Sequence, residues 1–406
     1  MLFISEYYLS VIYFVVLLVL LFGARFDFFF LAILGIALYF TPFFIKAIYY
    51  VDSYGSYDFS HPVKAESVIQ LTVIITMVLL KIASHFYYKV LEPKSCVVYE
   101  VRPFFLTNFF TLLSFILSFH AIGLGGVSAH KSEFGESMGG LFFFTHYFIS
   151  MALLFNLYCF FNLRKKLYTV FFVFALLFFS IFLFKTRSFY FFSFIAFFFS
   201  FFYKVKLSFF LRGRNFFKIV FLFLLMFFLL SGKHIANMVL YGVEYDSVIQ
   251  ILVDAYEAVG VSSNLNNVVS SDFYYPMFKE VFVSFIPGVS FYDYHTIIKN
   301  NFYPNARYGM GRSLFGEIYI SFNIFVIVLF PLFFVLMTLL FSMIMERLNG
   351  LLRYFFTLLA VFAFFYIHRN GLSVGISYIF YYIYILLFAL LFFLILGGKA
   401  FARRLN

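Results

Sequence analysis

The chain has 406 residues, 64% of them hydrophobic and only 12% charged, and it carries a formal net charge of +11. Apolar windows long enough to cross roughly 30 Å of hydrocarbon as helices recur throughout, which excludes a soluble globular enzyme and points to a polytopic membrane protein. In a soluble chain the basic excess would suggest nucleic acid, but here it clusters in short loops between apolar segments, so topology accounts for it and no nucleic-acid partner is expected.

Backbone amides in lipid must be paired within the segment, and these runs lack the alternation a barrel needs, so the expected fold is all-α. About eleven transmembrane helices are expected, near 7–23, 28–51, 68–91, 104–122, 141–163, 167–184, 189–203, 216–231, 314–345, 350–367 and 376–396. The ninth is long and is expected to tilt or to kink near Pro331. No basic region followed by a cleavage site opens the chain, so its first apolar run reads as a retained helix. Residues 1–406 read as a single integral membrane domain with one large polar loop, 232–313, forming a cap.

The 73 Phe and 32 Tyr, with no Trp, read as a coding bias and are assigned no function. Cys96 and Cys159 have no metal spacing and suggest no disulfide framework.

Alternate connections carry Arg25; Lys89, Lys94 and Arg102; Arg164, Lys165 and Lys166; Lys204, Lys206, Arg212, Arg214 and Lys218; Arg347 and Arg353; and Lys399, Arg403 and Arg404. The opposite short connections hold only Lys46, Lys64, Lys131, Lys185, Arg187 and Arg369. The positive-inside rule places the first set in the cytoplasm and the 232–313 loop outside. Within that loop, 247–259 has amphipathic helical spacing and 278–286 suits an interfacial helix. No internal repeat of the kind many transporters carry is evident.

Four arginines fall outside against the topological bias: Arg187, Arg307, Arg312 and Arg369. A guanidinium stays protonated and presents a planar fork that matches phosphate oxygens, so several at one lip would hold a diphosphate. The competing reading is that each snorkels to headgroups or pairs with an acid. Glu317, just inside the ninth span, is either a general base, an Arg-orienting carboxylate, or half of a structural Arg–Glu pair. Gly309, Gly311 and Gly316 would let backbone amides approach a ligand. The polar loop 123–140 is either a sugar contact or a connector, and His295 either meets a sugar or is structural.

Lys81, His85 and Lys89 share one face of the third span. Snorkelling to the inner surface is favoured there over an ion pathway. There is no HExxH, P-loop, GxSxG or Asp-rich motif, so no metal or other cofactor is expected.

The layout, with one large late loop, Arg187 at the outer end of a middle helix, and the stretch from Phe285-Ile-Pro-Gly288 through Gly309-Met-Gly-Arg-Ser-Leu-Phe-Gly-Glu317 to Phe322, resembles the O-antigen polymerases, the Wzy-type oligosaccharide repeat unit polymerases. The likeness covers the whole chain in layout and 285–322 in motif. The Arg-X10-Gly pattern of some members is absent, and Asn323-Ile-Phe325 stands where relatives carry a Gly-containing turn.

The resemblance implies a fold like the GT-C-type fold of lipid-dependent glycosyltransferases. It implies metal-independent transfer between undecaprenyl-diphosphate-linked oligosaccharides, with undecaprenyl diphosphate as leaving group. Arg187, Arg307, Arg312 and Arg369 would bind diphosphate. Glu317, Arg312 and Arg187 would carry the chemistry, and Gly309, Gly311 and His295 would contact substrate. Membrane lipids and a chain-length regulator are the expected partners. The rival readings are an O-antigen ligase, whose His-containing motif His368-Arg-Asn370 matches poorly, and a non-enzymatic flippase or transporter of lipid-linked oligosaccharide.

Overall fold

The structure is a computed structural model that describes residues 6–44, 63–91, 103–125, 140–163, 167–184, 188–210, 273–286, 294–302 and 313–395, with a few single positions between 238 and 289. Among them the fold is all-helical. The expected eighth span, 216–231, and most of the 232–313 loop lie outside the described residues. The first helices are α1 (Glu6–Leu21), α2 (Phe28–Phe40), α3 (Val63–Phe86), α4 (Pro103–Gly125), α5 (Gly140–Asn162), α6 (Leu167–Phe178) and α7 (Ser188–Phe201). Those after the gap are α8 (Phe278–Val283), α9 (Tyr294–Phe302), α10 (Leu314–Phe322), α11 (Val326–Met345), α12 (Gly350–Val361) and α13 (Ile367–Ile395).

Five helical stretches are long and apolar enough to cross a membrane: Ser67–Leu91, Pro103–Gly123, Leu141–Asn162, Leu314–Met345 and Gly350–Phe392. Shorter apolar helices at Tyr8–Leu21, Phe28–Phe44, Tyr168–Ile181 and Phe189–Phe201 complete the bundle. Val328, Leu332, Leu336 and Leu340 form an exposed apolar stripe, one per turn of α11, while Phe330, Phe334, Thr338 and Phe341 on its other face are buried. A helix apolar on every side needs lipid on its outer face. The molecule is a helical membrane protein.

Many polar groups inside the bundle are satisfied within or between helices, as a water-free surrounding favours. Thr72, Thr76 and Thr338 donate to the carbonyl one turn earlier, at 2.7, 2.7 and 2.6 Å. Between helices, Ser150 bonds Ser193 at 2.6 Å, Tyr382 donates to Ser150 at 2.9 Å, and Ser200 donates to Thr357 at 2.7 Å. Such bonds join α5, α7, α12 and α13 where lipid offers no hydrophobic drive. Gly35 lets α2 approach α12's extension, because a Cβ there would overlap the Phe364 carbonyl.

The ninth expected span is not one helix. α10 ends at Phe322, a 3-10 turn covers Asn323–Phe325, and α11 starts at Val326. In an unbroken α-helix residues 315 and 330 would stand about 22 Å apart, yet the rings of Phe315 and Phe330 have centroids 5.4 Å apart. The chain therefore folds back at Asn323, whose φ of 52° no continuing helix contains. α11 itself runs through Pro331 as one helix, and the reversal lies eight residues, about two turns, before that proline.

A second reversal joins the last two spans. α12 continues through a π-turn, Phe362–Tyr366, into the first residues of α13, and the backbone then breaks at Gly371 with φ 79° and ψ 172°. Beyond it the chain returns beside itself: Tyr366 meets Tyr378 at 4.9 Å and Phe362 meets Tyr382 at 5.0 Å, centroid to centroid.

Connections assigned to one side by their basic residues are gathered at one end of the bundle. Phe26 and Val205 pair backbones at 2.9 Å, and Arg25 and Lys206 form an antiparallel bridge. Lys204 pairs with Glu346 at 2.9 Å, and the guanidinium of Arg353 lies 5.6 Å from the Tyr203 ring. At the far end of α2, Phe40 packs against Phe315 and His368. The two ends are separated by the length of α2, about 18 Å.

Candidate functional site

At the Phe40 end of the bundle, Glu317 joins α10 to the start of the last helical run. α10 starts where Ser313, in extended backbone, accepts the Phe315 N–H at 3.2 Å, a capping arrangement that satisfies an otherwise orphaned donor. One turn on, Glu317 is buried at 3% exposure. Its carboxylate accepts the backbone N–H of Leu372, and the Ser373 hydroxyl donates to it at 3.3 Å.

Leu372 and Ser373 are the first residues after the Gly371 break, so their amides open a new helical run and lack partners one turn earlier. Glu317 thus caps a helix end from a different element, where negative charge is favoured. Gly371 is required twice over. Its φ of 79° suits glycine, and a Cβ there would collide with the Glu317 carboxylate.

Pieces of the polar loop hold α10 from its other side. Tyr275 donates its N–H to the Ile320 carbonyl at 2.9 Å, Met277 donates its N–H to Ser321 at 3.1 Å, and Ser321 donates back to the Tyr275 carbonyl at 3.1 Å. Ile320 joins Val268, Met277, Ile297 and Ile298 in a small apolar cluster separate from the main core. The described part of the loop is therefore folded against α10 and α9.

The residues leading into the break are polar, with His368 buried and Arg369 and Asn370 half-buried. His368 is fully buried in a box of aromatic rings, stacked on Phe334 at 5.1 Å and 3°, edge-on to Phe40 at 5.3 Å, with Tyr39 at 5.6 Å. Neither of its ring nitrogens, nor the side-chain nitrogen of Asn370, has a hydrogen-bond partner among the described residues. Arg369 is half-buried, with its guanidinium 5.9 Å from the centroid of Tyr366.

Of the residues singled out from sequence, the structure places Glu317 and Arg369 on either side of one turn. His295 lies in α9, and its side chain is outside what is described. Arg187, Arg307, Arg312, Gly309 and Gly311 are also outside the described residues, as are 126–139 of the polar loop near residue 130. Sequence reasoning missed the inward-facing His368 and the role of Gly371. The signal available was the run His368-Arg-Asn-Gly371, four helix-weakening or polar residues in an apolar span. Among the described residues no three His, Cys, Asp or Glu side chains gather as a metal site. Compared with protein-family models, curated proteins and solved structures, the chain matches none.

Proposed function

We propose that this chain is a glycosyltransferase that polymerises undecaprenyl-diphosphate-linked oligosaccharide repeat units at the outer face of the bacterial inner membrane, as the O-antigen polymerases do. The observation that carries the reading is the Glu317 clasp. A buried carboxylate holds the start of the run after Gly371, next to Arg369 in sequence, and described parts of the polar loop bond to the same helix that carries the carboxylate. The same loop carries Arg307 and Arg312 in the segment that leads directly into Ser313 and α10.

In this reading the guanidinium groups of Arg369, Arg312, Arg307 and Arg187 grip the diphosphate of the donor. The acceptor sugar hydroxyl attacks C1 of the donor glycan, the C1–O bond to the diphosphate breaks, and undecaprenyl diphosphate departs with the bonding electrons, while the hydroxyl proton passes to the departing diphosphate or through it to water. Charge grows on the leaving diphosphate, so fixed cations there stabilise the transition state more than the ground state. Glu317, with both oxygens already accepting bonds, is a positioning residue in this scheme rather than a base.

The test is the glycan profile of cells in which the chain is the only polymerase. Arg369→Ala, Arg187→Ala and Arg312→Ala should each accumulate single-repeat lipid intermediates with little long polymer. Normal long polymer from all three would overturn the clamp. Long polymer left unattached to its final acceptor on deletion of the chain would assign a ligase instead.

A further inference from the structure

At the opposite end of α2 a cleft of about 200 Å³ opens between the α1–α2 connection and α3, lined on its polar side by Arg25, Asp27, Lys81, Ser84, His85 and Tyr88. The other wall is apolar, with Leu20, Phe29, Phe30 and Ile33. Cavities that bury drug-sized molecules run to roughly 300–1,000 Å³, so this one takes a headgroup-sized moiety rather than a whole substrate.

Its charge is unbalanced. Asp27 is the one carboxylate in the lining, and it is already engaged. One oxygen caps α2 by accepting the Phe30 N–H at 2.8 Å, and the other accepts the Tyr88 hydroxyl at 2.9 Å. Arg25 stands 5.0 Å from the Tyr88 ring centroid, and neither it nor Lys81 is paired with a carboxylate among the described residues. Arg25, Lys81 and His85 therefore face a space whose single acid already accepts one hydrogen bond on each oxygen.

The rim is as telling as the floor. Val19, Phe22, Ile82 and Phe86, neighbouring the lining residues along α1 and α3, are exposed apolar side chains. Lys81 itself lies inside the apolar stretch Ser67–Leu91 rather than beyond its end. A free anion would use the cations and leave this rim in contact with nothing it can recognise, whereas an amphiphile uses both.

We propose that this cleft binds the phosphate of an anionic membrane phospholipid, with Arg25 and Lys81 on the phosphate oxygens, Ser84 and His85 beside them, and the acyl chains along the exposed flanks of α1 and α3. The site is independent of the transfer chemistry proposed for the other end of the bundle.

The experiment uses the full chain purified in neutral detergent and titrated in parallel with phosphatidylglycerol, with diacylglycerol of the same acyl chains, and with sodium phosphate. Lipid retention is read by native mass spectrometry and protection by thermal melting. Phosphatidylglycerol should be retained in preference to diacylglycerol and should raise the melting temperature. Arg25→Gln combined with Lys81→Met should weaken retention about tenfold or more, as loss of charge-assisted contacts does.

Asp27→Asn keeps a capping acceptor and removes the one negative charge, so it should retain the lipid at least as well as the unaltered chain. Equal retention of diacylglycerol overturns the proposal. So does protection by sodium phosphate as strong as that by the lipid, weaker retention by the folded Asp27→Asn chain, or unchanged retention by a double variant that melts normally.

Discussion

The missing side chain of Gly371 and the carboxylate of Glu317 occupy the same space: a Cβ built on the glycine would overlap the acid that caps the residues after it. Two positions far apart in sequence are thereby fitted to each other. Gly371→Ala should destabilise the chain by about 1–3 kcal/mol, combining left-handed strain with displacement of the cap. In a double-mutant cycle with Glu317→Ala the losses should be clearly less than additive, because the second change finds the clasp already open. Additive melting shifts would mean the two residues act independently.

The role of Glu317 can be separated from that of a general base by its amide. Glutamine keeps an oxygen that can accept the Leu372 N–H but cannot take up a proton at neutral pH. A positioning residue predicts that Glu317→Gln folds and retains a substantial part of the wild-type polymer, while Glu317→Ala loses most of it. Polymer lost equally in both variants, with normal expression and melting, would return the base role to Glu317.

Asn323 supplies the reversal between α10 and α11 with φ 52°. Glycine adopts that region freely and a β-branched side chain does not. Asn323→Gly should therefore melt within a degree or two of the parent, and Asn323→Val should lose about 1–2 kcal/mol. The ordering of the two melts in detergent checks the position of the break, since a kink at Pro331 would leave both variants alike.

Asp27 gives a pH signature. Burial pushes its carboxyl up to about 6, against the opposing effects of the Phe30 amide, the Tyr88 hydroxyl and the charges of Lys81 and Arg25. A carboxyl raised in the folded state stabilises the fold fully below its ordinary range and loses that contribution as pH climbs through about 6. Between pH 5 and pH 7 the loss amounts to about 1 kcal/mol. Melting of the parent chain should fall over this interval more than that of Asp27→Asn, and parallel curves would show that Asp27 does not titrate there.

Much of the architecture was legible because lipid imposes a simple rule on the backbone. Among the described residues several long apolar windows, such as 68–91, 104–122 and 141–163, are helices near their expected bounds, whereas the window that holds Phe315 and Phe330 is two helices. What hydropathy hides is a reversal inside a continuous apolar run. Asn323 turns the chain through backbone torsions that leave no trace in composition, whereas the reversal at Gly371 falls in the expected connection between 350–367 and 376–396. Pro331, the visible breaker, lies in the first two turns of α11, where a missing N–H is tolerated more easily than deeper in.

Glu317 was legible as an acid in the wrong solvent, but its partner was not, since a backbone amide carries no sequence signature. The cleft around Asp27 escaped for a related reason. Arg25 reads as a topological marker and Lys81 as a snorkelling lysine, and only the packing of α1 on α3 makes them neighbours. The arginines at 187, 307 and 312 are outside the described residues and rest on the sequence alone.

The most direct measurement is the chain-length distribution of glycan made by the purified protein in liposomes supplied only with a lipid-linked repeat unit. The account predicts that the parent chain converts single repeats to long lipid-linked polymer and that Arg369→Ala leaves them as single repeats while melting like the parent. Failure of the parent chain to elongate the repeat unit, or full-length polymer from Arg369→Ala, would contradict it.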